Sequence, residues 1–142
     1  MRNESPAPPG PAPHRQVASF EDLIAWQKAR VLTSAITEMT GKPPVSRKFA
    51  FRDQIERAAV SVMSNIAEGY ERGSRAEFHH MPSISKGSCA EVRSLLYVAL
   101  DAGYVSETQF ADLMIQATEA SRIIGALRAS VGRQRDENRA VR

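Results

Sequence analysis

His79 and His80 are the residues of this chain best suited to hold a metal or move a proton. Neighbours on a helix project about 100° apart, so the two imidazoles cannot close on one ion. Glu77 joins His80 at i,i+3, but two ligands do not make a site. Structural histidines are expected at both positions, and His14 lies in a proline-rich stretch. Cys89, the single cysteine, stands between Ser88 and Ala90 with no base beside it in sequence to depress its pKa. A core-facing thiol is expected, and one cysteine excludes both an internal disulfide and a cysteine-based zinc site. No GxGxxG, Walker loop, GxSxG or HExxH occurs. The expectation is a non-enzymatic chain with no catalytic residues, cofactor or metal.

Polar residues in helical register carry more information. Gln54, Ser61, Asn65, Glu68 and Arg72 follow one another at seven, four, three and four residues, with Ala58 in the gap. Ser and Asn are poor choices for a merely solvated helix interior, where Lys, Glu and Gln cost less. Small polar residues flanked by alanine suit close helix approach. Ser61, Ser64 and Asn65 are therefore expected in a structural or subunit contact, ahead of ligand binding. Glu91 lies seven residues after Ile84 and four before Leu95, close to an apolar stripe. A half-buried carboxylate needs a partner, and Arg57 is the expected one.

The elements that must position these residues are helices. At 142 residues one domain is the default, and aromatics at only 6% argue against a sandwich. Four segments repeat the helical period. The first opens at Ser19 with Asp22 as an imperfect capping box, runs through Phe20, Ile24, Val31, Ala35 and Met39, and stops at Gly41 and Pro43-Pro44. Leu23, Leu32 and Ile36 flank that series. The second begins near Ser46 and carries Phe51, Ile55, Ala59, Val62 and Ile66 to about Tyr70. The third starts on the Ser74–Glu77 capping box, carries Phe78, Met81, Ile84, Val92, Leu95, Leu96 and Ala99, and ends at Gly103. The fourth starts at Ser106 with Gln109 and carries Phe110, Leu113, Ala117, Ala120, Ile124, Leu127 and Val131. Short connections force antiparallel neighbours, so an all-α, antiparallel up-down-up-down four-helix bundle over 19–131 is expected. Pro82 lies inside the third helix, where proline typically costs about 3 kcal/mol, and a kink or break is expected there. Residues 1–18 read as a disordered proline-rich tail and 132–142 as a basic, polar, frayed one.

The net charge of +3 and pI of about 9.4 divide unevenly. The two tails carry all of the excess, and in 19–131 the acidic and basic side chains cancel. A neutral bundle is a poor phosphate binder by itself. Helices one and four carry apolar residues beyond one stripe (Leu23 and Trp26; Met114 and Ile115), which points to a second buried surface. No apolar run approaches the ~18 residues that span a bilayer. The N-terminus lacks the apolar segment of a signal peptide. A cytoplasmic, soluble protein with no membrane and no small-molecule substrate is expected.

The stretches SFEDLIAWQKAR (19–30), FRDQIERAAVSVMSNIAEGYERGS (51–74) with the following EF, and KGSCAEVRSLLYVALDAGY (86–104) resemble the four-helix-bundle proteins encoded by intervening sequences in bacterial 23S rRNA genes. The chain is also similar, more distantly, to the accessory variability determinants of diversity-generating retroelements. The resemblance implies a bundle commonly assembled as a homopentamer, without enzymatic activity, that binds nucleic acid or a partner that handles it. Its pattern falls on Trp26, Gln27 and Lys28, on Arg57, Ser61, Ser64, Asn65, Ile66, Ala67, Glu68 and Gly69, and on Gly87, Ser88 and Glu91. The segment HHMPSIS (79–85) departs from it. The leading expectation is an oligomeric scaffold contacting structured RNA or an RNA-associated protein, with Lys28, Arg72, Arg75 and the basic tails pooled by assembly. The alternative is a protein–protein adaptor that docks partners on its small-polar stripe without touching nucleic acid.

Overall fold

A computed structural model describes residues 16–140; the segment 1–15, most of the tail expected over 1–18, lies outside the described residues. Four α-helices follow in order: α1 Ile24–Thr40, α2 Phe49–Glu71, α3 Arg75–Asp101 and α4 Glu107–Ala140. One-turn 3-10 helices, Phe20–Asp22 and Val45–Arg47, precede α1 and α2. No strand occurs among the described residues. Each helix packs on the next and α1 closes on α4, with no diagonal contact. That is an up-down-up-down four-helix bundle.

The starts follow the capping chemistry. Ser106 Oγ accepts from the Gln109 N–H at 3.1 Å while Gln109 Oε1 accepts from the Ser106 N–H at 2.9 Å, so both orphan donors are satisfied. Ser74 Oγ accepts from the Glu77 N–H at 3.1 Å. The Asp22 carboxylate accepts from the backbone of Ala18 and Ser19, but this box closes only a 3-10 turn and α1 begins at Ile24. Gly73 and Gly103 adopt φ of +73° and +72° in the turns after α2 and α3, where a side chain would be strained.

Three expectations change. First, the buried face of α1 is Ala25, Ala29, Leu32, Ile36 and Met39, not the series beginning at Phe20. Ile24 and Val31 are 62% and 56% exposed. Two apolar series run one residue apart, and the one containing small alanines brings the helix closer to its neighbours. Second, α3 is continuous from Arg75 to Asp101 with Pro82 inside it, so the helix does not break there. The proline ring is fully buried, and its three methylenes contribute about 2 kcal/mol against the ~3 kcal/mol of the lost hydrogen bond and clash. Ile84, expected in the core stripe of this helix, is 40% exposed. Third, α4 runs past Val131 to Ala140, so 132–140 extends the helix. Arg, Gln, Glu and Ala are good helix formers; lack of apolar period there signals lack of burial, not lack of helix.

Candidate functional site

The small-polar stripe of α2 closes the seam with α3. Ser61 Oγ and Ser88 Oγ lie 2.8 Å apart, and Asn65 Nδ2 donates to the Ser61 carbonyl at 2.8 Å and to Ser61 Oγ at 2.9 Å. One turn on, a Cβ built at Gly69 would meet Met81 Cβ at 2.7 Å and the Glu77 carbonyl oxygen at 3.2 Å. The two backbones approach closely because Gly, Ala and Ser occupy the seam. Ser61 and Asn65 thus have the structural contact expected of them, while Ser64 is exposed.

The expected Arg57–Glu91 pair does not form. Arg57 Nε bonds Asp53 Oδ2 at 3.0 Å on the outer face of α2, with its side chain 80% exposed. Glu91 is exposed and accepts a long bond from Gln54 Nε2 at 3.4 Å. Ile55 and Ala58 face the core, so Arg57 between them points out, and its i,i+4 carboxylate is the local partner.

Most nominated cations are already committed. Lys28 of α1 meets Glu119 of α4 at 3.4 Å. Arg72 pairs with Glu68 and, at 3.5 Å, with Glu77. The Glu68 hydrogen bond and charge hold its guanidinium above its ordinary pKa. Arg75 donates to Gln134 Oε1 at 2.8 Å. Trp26 meets the Phe20 ring edge-on at 5.2 Å with the Arg30 guanidinium 5.8 Å from its centroid, and Gln27 Nε2 donates to the Glu21 carbonyl at 2.9 Å. Glu68, Arg72 and Gln27 therefore lock local structure.

Cys89 is buried, and desolvation pushes its thiol from 9.0 up to about 11 against the opposing charge of Arg93. A raised folded-state pKa means the unfolded chain ionises first. Stability should be unaffected by this group below pH 9.0 and fall as pH rises from 9.0 to about 11. Thermal melts across that window should show a decline that Cys89→Ala makes shallower; equal slopes would refute it. Such a thiol is no nucleophile. Among the described residues no three His, Cys, Asp or Glu side chains group to hold a metal. A groove of about 680 Å³ beside the α1–α2 and α3–α4 turns is lined by Glu38, Lys42, Tyr104, Ser106, Asp112 and Gln116 among others; Ser106 Oγ there caps the Gln109 N–H and Lys42 pairs with Glu38.

Two surfaces remain that sequence reading did not resolve. On the α1/α4 face, Ile24, Val31 and Ile115 are 62%, 56% and 64% exposed. Because Lys28 meets Glu119 in an antiparallel pair, Val31 and Ile115 stand at one level beside that bridge. On the α3/α4 face, Arg75, Lys86 and Arg93 of α3 are exposed and make no ion pair among the described residues, and neither does Arg122, which stands seven residues after Ile115 on the outer crest of α4 where the two faces meet. Their spacing on α3, eleven then seven residues, is the signal that could have found them.

Fold and surfaces define an all-helical bundle with close-packed seams and two uncovered outer faces. The sequence pattern of the 23S rRNA-intervening sequence proteins matches residues 21–126, and the chain belongs to that family. Its fold is similar to the crystal structure, at 1.70 Å, of a protein with unknown function from the S23 ribosomal protein family of Bacteroides thetaiotaomicron. The TM-score is 0.68 at 19% identity, over 74% of this chain and 98% of that one. No curated protein matches the sequence. Among the described residues no helix is long and apolar enough to cross a membrane.

Proposed function

We propose that this protein is a non-enzymatic, cytoplasmic scaffold that assembles with copies of itself, as a pentamer by family resemblance, and binds structured RNA on the assembled surface. The observation that carries the assembly is the α1/α4 face. Single exposed apolar residues are ordinary, but Ile24, Val31 and Ile115 share one face and the bundle core does not need them. The nucleic-acid binding that the family resemblance implies and the unpaired cations of α3 and α4 favour RNA as the partner. The adaptor reading is weaker because, within its docking stripe, Ser61 is spent on Ser88 and Asn65 on Ser61.

Light scattering on the full chain tests it. The wild type should run as a defined oligomer, and Val31→Asp with Ile115→Asp should run as a folded monomer. A wild-type monomer at micromolar concentration would overturn the assembly.

A further inference from the structure

The geometry points to the α3/α4 face as the RNA-backbone platform of this protein, with Arg75, Lys86, Arg93 and Arg122 as its phosphate contacts. This rests on the RNA-scaffold reading and keeps Arg75 of the residues first nominated for it, while Lys28 and Arg72 are spent on Glu119, Glu68 and Glu77. On an α-helix, positions 75, 86 and 93 fall within about 20° of one another, so three cations line one edge of α3. The rise of 1.5 Å per residue spreads them over about 27 Å, enough to meet several phosphates.

The facing edge of α4 makes room for side chains of α3. A Cβ added at Gly125 would meet Lys86 Nζ at 3.3 Å, and one added at Gly132 would meet His79 Nε2 at 3.2 Å. The α3 side chains thus lie over bare α4 backbone. Arg122 stands a turn before Gly125, on its outer side. Arg75 Nη1 reaches Gln134, tying the extension of α4 to the start of α3.

Carboxylates are missing from this face. Between Glu77 and Glu91 α3 has none, and Glu91 turns toward Gln54 of α2. Between Asp112 and Asp136 α4 has only Glu119, which is bound to Lys28 on the α1 side. The cations therefore keep their charge for a ligand. Ala90 brings only a methyl group to this face and Gly125 no side chain at all. They keep the middle of the face low, and Tyr97, 55% exposed one turn after Arg93, packs on Phe110 of α4 at its end. A row of separated cations suits a sugar–phosphate backbone read by shape.

The test uses the full-length oligomer and a fluorescent RNA stem-loop, titrated at several salt concentrations. Lys86→Gln/Arg93→Gln/Arg122→Gln should weaken binding at least tenfold and reduce the slope of log K against log salt by roughly 2 to 3 units. Arg30→Gln/Arg47→Gln/Lys48→Gln removes the same charge elsewhere and should leave most of the affinity. Independently, bound RNA should shield Lys86 of the wild type from acylation more than Lys42 or Lys48, which needs no variant to fold. Equal losses from both triple variants, or a larger loss from the second, would overturn the platform while leaving RNA binding intact. Absence of shielding at Lys86 in a bound complex would do the same. Absence of any salt-sensitive binding by the wild type would overturn the RNA reading and the platform with it.

Discussion

Gly69→Ala is expected to destabilise the bundle by about 1–2 kcal/mol, and Gly87→Ala to stabilise it by up to about 1 kcal/mol. Both glycines sit inside long helices, α2 and α3, and both gain the same helix propensity from a methyl group. Surroundings alone set the sign. At Gly87 nothing lies within 4 Å of the added Cβ, so the propensity gain and the reduced entropy of the unfolded chain are kept. At Gly69 the added carbon would stand 2.7 Å from Met81 Cβ and 3.2 Å from the Glu77 carbonyl oxygen. Neither is the free end of a flexible side chain, so α2 and α3 must separate. Overpacking of this kind costs about 1–3 kcal/mol, which outweighs the gain, and separation also stretches the Ser61–Ser88 bond. Urea midpoints of the two variants should move in opposite directions. Equal stabilisation would mean the seam is looser than described.

The pair also shows which parts of the molecule the sequence made legible. Helix starts were readable because Ser74 with Glu77 and Ser106 with Gln109 satisfy backbone donors locally, within three residues. Local chemistry is written in local sequence. The periodic stripe of Ser61 and Asn65 likewise announced a helix contact. Its partner Ser88 was not readable, because the partner depends on how α2 slides against α3, and that register is set by Gly69 and Met81 across the seam. The Arg57–Glu91 pair failed for the same reason: it presumed a register, while the i,i+4 neighbour Asp53 needed none.

Charge was misread in a different way. A sum over 19–131 gives zero and suggests a surface with nothing to offer phosphate. Sums discard direction. The carboxylates of α3 and α4 lie at the helix ends or toward α2 and α1, as Glu91 and Glu119 show. Lys86, and Arg93 seven residues on, turn toward α4 instead, and Arg122 flanks them on the outer crest of α4. A neutral bundle can thus present a strongly basic face, and the sidedness follows only once each helix has been rotated onto the core.

Rotation of α1 is where that step is least determined by pattern, and Leu32→Ala with Val31→Ala tests it most sharply. Leu32 is 0% and Val31 56% exposed, although both are aliphatic neighbours in one helix. Leu32→Ala should cost about 2–5 kcal/mol, through lost transfer energy and the cavity left in the core, where Leu32 is fully buried. Val31→Ala should cost under about 0.5 kcal/mol in the folded protomer, as for a surface site. Chemical denaturation at low protein concentration measures both. If Val31 faces another copy, its substitution acts on assembly instead, and the melting temperature of Val31→Ala should depend on protein concentration differently from wild type. A reversed order, with Val31→Ala the more damaging at every dilution, would restore the Ile24–Val31–Ala35 series as the core face of α1. It would also turn Ala25 and Ala29 outward, and the apolar α1/α4 surface on which assembly rests would cease to exist.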